Sequence, residues 1–491
     1  MTHRAVRLWA PALTRFASAT ASLALLASAG LVAGSAATSS ASVDSADRGE
    51  SGLGDEYYPL DGNGGIDVGH YDIHTRYDFD SGLLRGRTTL TLTPTRDLTR
   101  FNLDFLLPVS EVTVDGRRAR HRTVQGHELV ITPNRALRSG EPVRVKVRYA
   151  GRPSEERYAG ESNWLADRHE VVTMNEPHMA PWWFPANDHP TDKASYDISV
   201  TVPRGLQVVA NGELVQRQVA KKTVTWRWRA GEPMTSYLAF FAAGDFEIET
   251  GVQQTSGGER PWTIAVSRQL SRHDQTASMR SLRKTPEVVA WLESQLGPYP
   301  FSTTGGVVTS LSPGFALENQ TRPVYPSLGG DSTWLLVHEL AHQWFGDSVS
   351  VARWRDIWLN EGIATFMQIR YDEAVEGRDA QKWLTDYHAS LGSGDWFWEI
   401  QVADPGRRNL FGWSVYERGG MTMQALRHRI GEDDFWLLLR TWLSTYRDAN
   451  ATSEQFEALA EQVSGEDLDG FFEAWLRAKG KPAKTADNGL I

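Results

Sequence analysis

The sequence predicts a multidomain α+β protein, in which a β-rich N-terminal half is followed by a largely helical half. Three observations support this prediction. The chain has 491 residues, which exceeds one ordinary domain. Its hydrophobic fraction of 41% is sufficient for a packed core. Short alternating runs of polar and apolar residues fill the first half, whereas apolar residues at helical spacing fill the second.

The first 42 residues have the three-part pattern of a secretory signal peptide. Arg4, Arg7 and Arg15 precede an apolar run from Ala21 to Val32, and small residues follow this run. The apolar run is too short to span a bilayer, and no later segment has transmembrane character. We therefore expect a secreted, extracellular protein with no membrane span, in which 1–42 is removed and 43–55 is a flexible linker.

An all-β N-terminal domain is predicted at 56–247. The segments "GRTTLTLTP", "HELVITP", "PVRVKVRYAG", "SYDISVTVP", "KTVTWRWRAG" and "YLAFFAAGDF" have the alternation and β-branched content of strands. Turn signals such as "VDGR" and "LRSGEP" separate them. Several short strands with regular turns are typical of a β domain.

A mixed domain is predicted at 248–430, followed by a C-terminal helical tail at 431–491. "GVQQTSGGERPWTIAVS" is extended, whereas "TASMRSLRKTPEVVAWLESQLG" has helical periodicity and ends in Gly297. "GGVVTSLSPGFALENQTRPVY" predicts a further strand with its exit loop. From Thr333 onward the pattern is helical nearly throughout.

Charge and composition exclude several functional classes. The formal net charge is −10 and no basic stripe is present, so nucleic acid is not an expected partner. The chain has no cysteine, which removes thiol nucleophiles, thiolate metal sites and disulfides. No G-x-S-x-G occurs, which argues against a serine hydrolase of that type. Any metal must therefore be bound by imidazole and carboxylate groups.

The segment "HELAHQWFG" carries a metal-binding pattern. His338 and His342 are four residues apart, so on a helix both can point to one ion. Glu339 projects beside them, within reach of a water at that ion. The same "HEL" letters occur at His127, but there they continue as a predicted strand without a second histidine. Spacing, and not the dipeptide, carries the prediction.

Two histidines leave zinc under-coordinated, so a third protein ligand is required. Glu361 in "IWLNEGIATFMQIRY" is the candidate, because it lies near the start of the next predicted helix. Two imidazoles and one carboxylate favour zinc, one ion per chain, with a position left for water. The chemistry that this arrangement predicts is hydrolysis by metal-activated water, with Glu339 as the general base.

These motifs resemble those of the aminopeptidase N family of zinc metallopeptidases, peptidase family M1. "YYPLDGNGGIDVGHYDI", "WWFPANDHPTDKASYDISVTVP", "GPYPF", "HELAHQWFGD", "WLNEG" and "YERGG" follow in that family's order and spacing. The resemblance covers almost everything after the signal peptide. It implies a saddle-shaped N-terminal β domain, a thermolysin-like α/β zinc catalytic domain and an aminopeptidase acting on peptides with a free N-terminus.

The resemblance also implies roles for individual residues. His338, His342 and Glu361 match the zinc ligands, Glu339 matches the general base, and Tyr416 matches the tyrosine that stabilises the oxyanion. The family's substrate-binding strand corresponds to "FALEN", which gives Ala316, Glu318 and Asn319 as substrate-binding candidates, with Glu318 as the anchor for the substrate amine. The family's upstream glutamine aligns with Met174, so Glu176 and Asn175 are the candidate substitutes. The family's leading Gly is Phe315, which alters the pocket wall.

Two other functions remain open at this point. One is a zinc endopeptidase or hydrolase that does not require a free amine, which an N-blocked substrate would reveal. The other is a non-catalytic binding protein, which the intact set of ligands and base disfavours. The preferred N-terminal side chain and the oligomeric state are not predicted.

Overall fold

The computed structural model describes residues 47–330 and 332–491, so the predicted signal peptide lies outside the described residues, as does residue 331. The strands are β1 Ile66–Asp78, β2 Leu83–Pro94, β3 Phe101–Asp104, β4 Val109–Val114, β5 Arg117–Arg118, β6 Arg120–Val124, β7 Glu128–Thr132, β8 Val143–Gly151, β9 Leu165–Ala166, β10 Val171–Val172, β11 Ala194–Pro203, β12 Gln207–Ala210, β13 Glu213–Val219, β14 Thr223–Met234, β15 Phe241–Gly244, β16 Phe246–Thr255, β17 Gly258–Ser267, β18 Thr304–Val308, β19 Val324–Tyr325, β20 Ser350–Val351 and β21 Asn450–Ala451. The helices are α1 Arg272–Leu282, α2 Thr285–Leu296, α3 Thr333–Ala341, α4 Trp358–Glu376, α5 Ala380–Ser390, α6 Trp413–Ile430, α7 Glu432–Thr445, α8 Ser453–Ser464 and α9 Asp469–Phe472.

The N-terminal half is built on a large sheet with the order β13-β14-β11-β1-β2-β8-β4-β5. Buried side chains alternate with more exposed ones along β1 and β8 of this sheet. One face of the sheet therefore contributes to the core. Smaller sheets with the orders β3-β7-β6 and β12-β15-β10-β9 complete this half. The predicted β-rich N-terminal half is confirmed.

One predicted strand of this half is only partly extended. "YLAFFAAGDF" was expected to be a strand throughout, but Ser236–Leu238 forms a turn of 3₁₀-helix, and β15 begins only at Phe241. All three turn residues are buried, and the Ala239 N–H donates to the Ser236 carbonyl. Hydrogen bonding within the turn replaces ladder pairing there.

A mixed sheet with the order β16-β17-β18-β19 opens the second half, and helices follow it. The helical segment predicted between Thr276 and Gly297 is two helices, because Pro286 lies in the first turn of α2 and cannot continue a helix from α1. The last predicted helical segment also differs. Its α-helix is only α9, which passes into a π-helical turn at Glu473–Arg477.

The α+β architecture agrees with the sequence prediction, whereas the domain limits at 56–247, 248–430 and 431–491 stay predictions. One continuous hydrophobic core joins side chains of the N-terminal sheets to side chains of the helical half. In the described part of the chain, no helix combines the length and the apolar character needed to cross a bilayer.

Candidate active site

The predicted metal ligands converge between α3 and α4. His338 Nε2 lies 3.3 Å from Glu361 Oε2, and His342 Nε2 lies 3.4 Å from the same oxygen. Two ligands about 2.1 Å from a tetrahedral zinc ion are about 3.4 Å apart, so the donor spacing fits zinc. All three side chains are buried. The residues present therefore match the requirements of a zinc site.

Helix α3 ends earlier than the sequence predicts. The apolar pattern predicts a helix up to Gly346, but α3 ends at Ala341 and His342 is its C-cap. Gly346 has φ of +126°, outside the helical region, and its N–H donates to the Val349 carbonyl. The tight turn after His342 does not separate the two histidine rings, whose centroids are 4.8 Å apart.

Each histidine is oriented through the ring nitrogen that faces away from Glu361. His338 Nδ1 lies 3.2 Å from Gln368 Oε1, and His342 Nδ1 lies 3.0 Å from the carbonyl oxygen of Phe345. Donation from Nδ1 leaves Nε2 with its lone pair toward the ion, which is the usual arrangement of metal-binding histidines. Sequence reasoning missed Gln368. Its position two helical turns after Glu361, on the same face of α4, is the signal that could have identified it.

The electrostatics of the site favour a cation. Burial opposes ionisation of Glu361, but the charge of His342 and the hydrogen bonds of both histidines outweigh it and lower the pKa of Glu361. Burial, with a further contribution from the charge of His342, lowers the pKa of His338 despite the opposing contacts with Glu361 and Gln368. For His342, the carboxylates of Glu361 and Glu318 outweigh burial and raise the pKa. Several buried carboxylates thus face two imidazoles, and a divalent ion would balance this charge.

Glu339 and Tyr416 come to this centre from two different helices, α3 and α6. Glu339 is buried on α3, and burial raises its pKa well above the ordinary value; His342 opposes this rise, while Glu318 adds to it. Tyr416 lies in the first turn of α6, with its ring stacked on His338 at a centroid distance of 6.0 Å. Burial, together with nearby carboxylates, raises the pKa of Tyr416. Its phenol therefore keeps its proton and can donate a hydrogen bond.

Two more carboxylates lie beside the metal ligands. Carboxylate oxygens of Glu176, Glu318 and Glu361 lie within 4.8 Å of one another. The hydroxyl of Tyr237, which sequence reasoning also missed, lies 3.4 Å from Glu318 Oε1. Tyr237 is in the segment predicted as a strand, so its inward position had no sequence signal. The structure thus brings Glu176 to the anchor candidate Glu318.

The predicted substrate-binding strand is reduced to an isolated β-bridge between Leu317 and Val324. Leu317 exchanges both backbone hydrogen bonds with Val324, at 2.9 and 2.8 Å. Among the described residues, no hydrogen bond to the backbone of the neighbouring Ala316 is found, so its N–H and C=O remain available to an extended ligand. Asn319 instead has a structural contact, because its side-chain amide donates to the Leu238 carbonyl at 3.0 Å.

Two models of known protein families match the chain. The "Peptidase M1 N-terminal domain" matches residues 68–238, and the "Peptidase family M1 domain" matches residues 330–475. The second match includes the whole set of metal ligands, and the first covers much of the N-terminal β region.

Curated relatives are aminopeptidases by name. "Probable aminopeptidase 1" of Sulfurisphaera tokodaii is 22% identical over 421 residues, covering 78% of this chain and 49% of that protein. "Aminopeptidase N" of Lactococcus lactis subsp. cremoris is 28% identical over 357 residues, covering 65% of this chain and 39% of that protein. The chain therefore spans about half, or less, of the length of these relatives.

Solved structures are similar over a larger share. An M1 zinc metallopeptidase from Deinococcus radiodurans, in a variant bound to a Tyr-Ser-Ala substrate, has a TM-score of 0.80 and 26% identity. The match covers 88% of this chain and 100% of that chain. A two-domain M1 zinc metallopeptidase bound to L-tryptophan has the same TM-score, identity and coverage.

Proposed function

The chain belongs to peptidase family M1, and from this premise we propose that it is a zinc-dependent aminopeptidase that hydrolyses N-terminal residues from peptides. The observation that carries the proposal is the position of Glu176 and Glu318. Their carboxylates lie within 4.8 Å of a carboxylate oxygen of the metal ligand Glu361. A substrate ammonium held there would place the first peptide bond, and not a later one, at the metal centre.

His338, His342 and Glu361 would hold the zinc ion through Nε2, Nε2 and Oε2. When bound, zinc supplies Lewis acidity, which polarises a carbonyl and makes water a nucleophile at neutral pH. The contacts of Gln368 and of the Phe345 carbonyl fix both imidazole rings in this arrangement.

The proton transfers are assigned to Glu339. Its raised pKa suits a carboxylate that takes a proton from the attacking water and returns it to the leaving amine. The Tyr416 O–H would donate to the oxyanion that develops on the former carbonyl oxygen. Glu339 is buried and Tyr416 is partly buried, which limits competition from water for these hydrogen bonds.

The amine anchor distinguishes this function from an endopeptidase. A peptide whose N-terminus is blocked lacks the charge that Glu176 and Glu318 would pair with. When the amine of a substrate is free and bound by these carboxylates, the backbone N–H and C=O of Ala316 would align the extended substrate beside the anchor. A zinc endopeptidase would need no such pair of carboxylates, of which Glu318 is buried and Glu176 partly buried, at this position.

A panel of aminoacyl chromogenic amides, each with an N-acetylated twin, tests the proposal. We expect cleavage of the free amides, negligible cleavage of the acetylated twins, loss of activity with a chelator and recovery with zinc. Equal cleavage of both twins would instead identify an amine-independent hydrolase. The absence of any cleavage in the zinc-loaded protein would contradict catalysis altogether.

We also propose that the protein is exported, on the pattern of its first 42 residues, which lie outside the described residues. The test is N-terminal sequencing of the mature chain recovered from culture medium. A start between residues 37 and 43 is expected, and retention of Met1 in a chain confined to the cells would contradict export.

A further inference from the structure

A second group of side chains with metal-binding chemistry lies in the N-terminal β region, outside the site described above. It consists of Asp104, His127 and Glu128, each no more than 2% exposed. One candidate ligand atom from each residue lies within 4.8 Å of those of the other two. Two carboxylates and one imidazole therefore face one another in a buried space.

The strand register forces the two carboxylates together. Asp104 is the last residue of β3 and Glu128 is the first of β7, and they are direct partners in the antiparallel pair. Like charges directly opposite each other on neighbouring strands are unfavourable, and burial increases the cost. In the described part of the chain, neither carboxylate has an ion pair with lysine or arginine.

Three of the four carboxylate oxygens of Asp104 and Glu128 lack a hydrogen-bond partner among the described residues. Asp104 is oriented through Oδ2, which accepts from Asn63 Nδ2 at 3.0 Å and from the Asp188 N–H at 2.8 Å. Within the described ranges, its Oδ1 has no hydrogen-bond partner, and neither has either oxygen of Glu128. Buried carboxylate oxygens are rarely left unsatisfied, so these atoms point to a ligand.

His127 has the orientation of a metal ligand. Its Nδ1 lies 3.3 Å from the carbonyl oxygen of Gln125, and its Nε2 has no hydrogen-bond partner in the part of the chain that the structure describes. Nε2 lies 3.5 Å from Glu128 Oε1, at an ion-pair separation. The ring of Tyr158 covers the imidazole at a centroid distance of 4.3 Å. A carbonyl on one ring nitrogen with the other left free is the arrangement seen around bound metals.

We propose that Asp104, His127 and Glu128 bind a second divalent transition-metal ion, with zinc as the best-fitting example. An imidazole with two carboxylates suits zinc, whereas calcium prefers oxygen ligands alone. An ion about 2.1 Å from each donor would draw the donors to about 3.4 Å apart by side-chain rotation. It would neutralise the opposed carboxylates and link β3 to β7, which gives it a structural role distinct from catalysis.

Diffraction at the zinc absorption edge tests this on the unmodified chain. Crystals grown with zinc are expected to show two anomalous peaks, one beside His338 and His342 and one between Asp104, His127 and Glu128. The absence of the second peak at full occupancy of the first would overturn the proposal.

Metal content after zinc loading and desalting gives an independent readout. We expect two zinc ions in the wild type and one in His338→Ala, which removes a catalytic ligand only. Glu128→Gln should also hold one, and it should keep its peptidase activity. His121→Ala, on the neighbouring β6, is the matched control and should hold two. A His338→Ala protein without any zinc would contradict the second site even if Glu128→Gln failed to fold.

Discussion

Gly362 of α4 and Gly419 of α6 lie in direct backbone contact: a Cβ on either glycine would come within 2.7 Å of the Cα of the other. Glu361 directly precedes Gly362, and Tyr416 lies one turn before Gly419. The close crossing of the two helices therefore sets the distance between a metal ligand and the proposed oxyanion donor. Gly420 adds a second close approach, because its Cβ would meet Thr365 Cγ2 at 2.9 Å.

Gly419→Ala is predicted to separate α4 from α6. Overpacking of this kind costs about 1–3 kcal/mol of unfolding free energy, even though alanine favours helix formation. Turnover should fall as well, because Tyr416 moves relative to Glu361. Denaturant unfolding and steady-state kinetics measure both effects. The control is Gly470→Ala in α9, where a Cβ meets nothing within 4 Å; equal behaviour of the two variants would contradict the role of the helix contact.

This contact illustrates what sequence patterns can predict and what they cannot. The motifs "WLNEG" and "YERGG" predicted Glu361 and Tyr416 as site residues, because each motif is local. The reason for their glycines is a crossing of two helices distant in sequence, which no local pattern contains. Gln368 was in principle accessible through helical spacing. Tyr237 and the pairing of Asp104 with Glu128 depend on tertiary placement and strand register.

Where local conformation competes with periodicity, the sequence prediction was less accurate. The apolar pattern continues to Gly346, but α3 ends at Ala341 because the turn hydrogen bonds of the following residues replace helical ones. The α+β order of the chain was predictable from alternation and helical spacing. The donor distances at the metal centre were not, since spacing gives only a shared helix face.

Glu339→Gln is predicted to keep the metal and lose turnover. The amide preserves the shape of the side chain but cannot accept the proton of the attacking water, so kcat should fall by about 10²–10⁴. Zinc content should remain that of the wild type, because Glu339 is not a ligand. Glu287→Gln, an exposed glutamate of α2, is the control. A Glu339→Gln enzyme with unchanged kcat would rule out the proton-transfer role.

Tyr416→Phe removes one hydroxyl and leaves the ring stacked on His338. Loss of one oxyanion donor should lower kcat by about 10²–10³, with a smaller change in KM. Initial rates over a range of substrate concentrations separate the two parameters. Tyr446→Phe, at a partly buried tyrosine packed on Trp442, should leave both unchanged. A normal kcat in Tyr416→Phe would remove the hydroxyl from the mechanism.

Because of His178, the free energy of unfolding is predicted to fall as the pH rises into the alkaline range. Burial opposes its charge, but the carboxylates of Asp61 and Glu161 outweigh burial and raise the pKa of His178 to about 10. Its stabilising contribution is complete below the unfolded pKa near 6.5 and is lost as pH rises toward 10. Relative to His178→Asn, the wild type should lose at most about 1.4 kcal/mol of unfolding free energy per pH unit in this range. Parallel pH profiles of the two proteins would contradict the raised pKa.

Glu318→Gln is predicted to weaken recognition of the substrate amine more than catalysis itself. A hydrogen bond to a charged group contributes about 1.5–3 kcal/mol, so kcat/KM for free-amine substrates should fall by about 10–100-fold. The carbonyl of residue 318 would still accept from Gln343 Nε2 at 2.8 Å, which leaves the local backbone in place. Glu176→Gln should have a similar effect, because both carboxylates face the same ammonium.

The double variant separates a shared anchor from two independent contacts. If Glu176 and Glu318 bind one ammonium, the combined loss should be smaller than the product of the single losses. Competitive inhibition by an amino acid amide and by its N-acetylated form supplies the matched comparison. The variants should weaken inhibition by the free amide only, since the acetylated form has no charge to pair. Equal weakening of both inhibitors would show that the carboxylates act on the pocket shape and not on the amine.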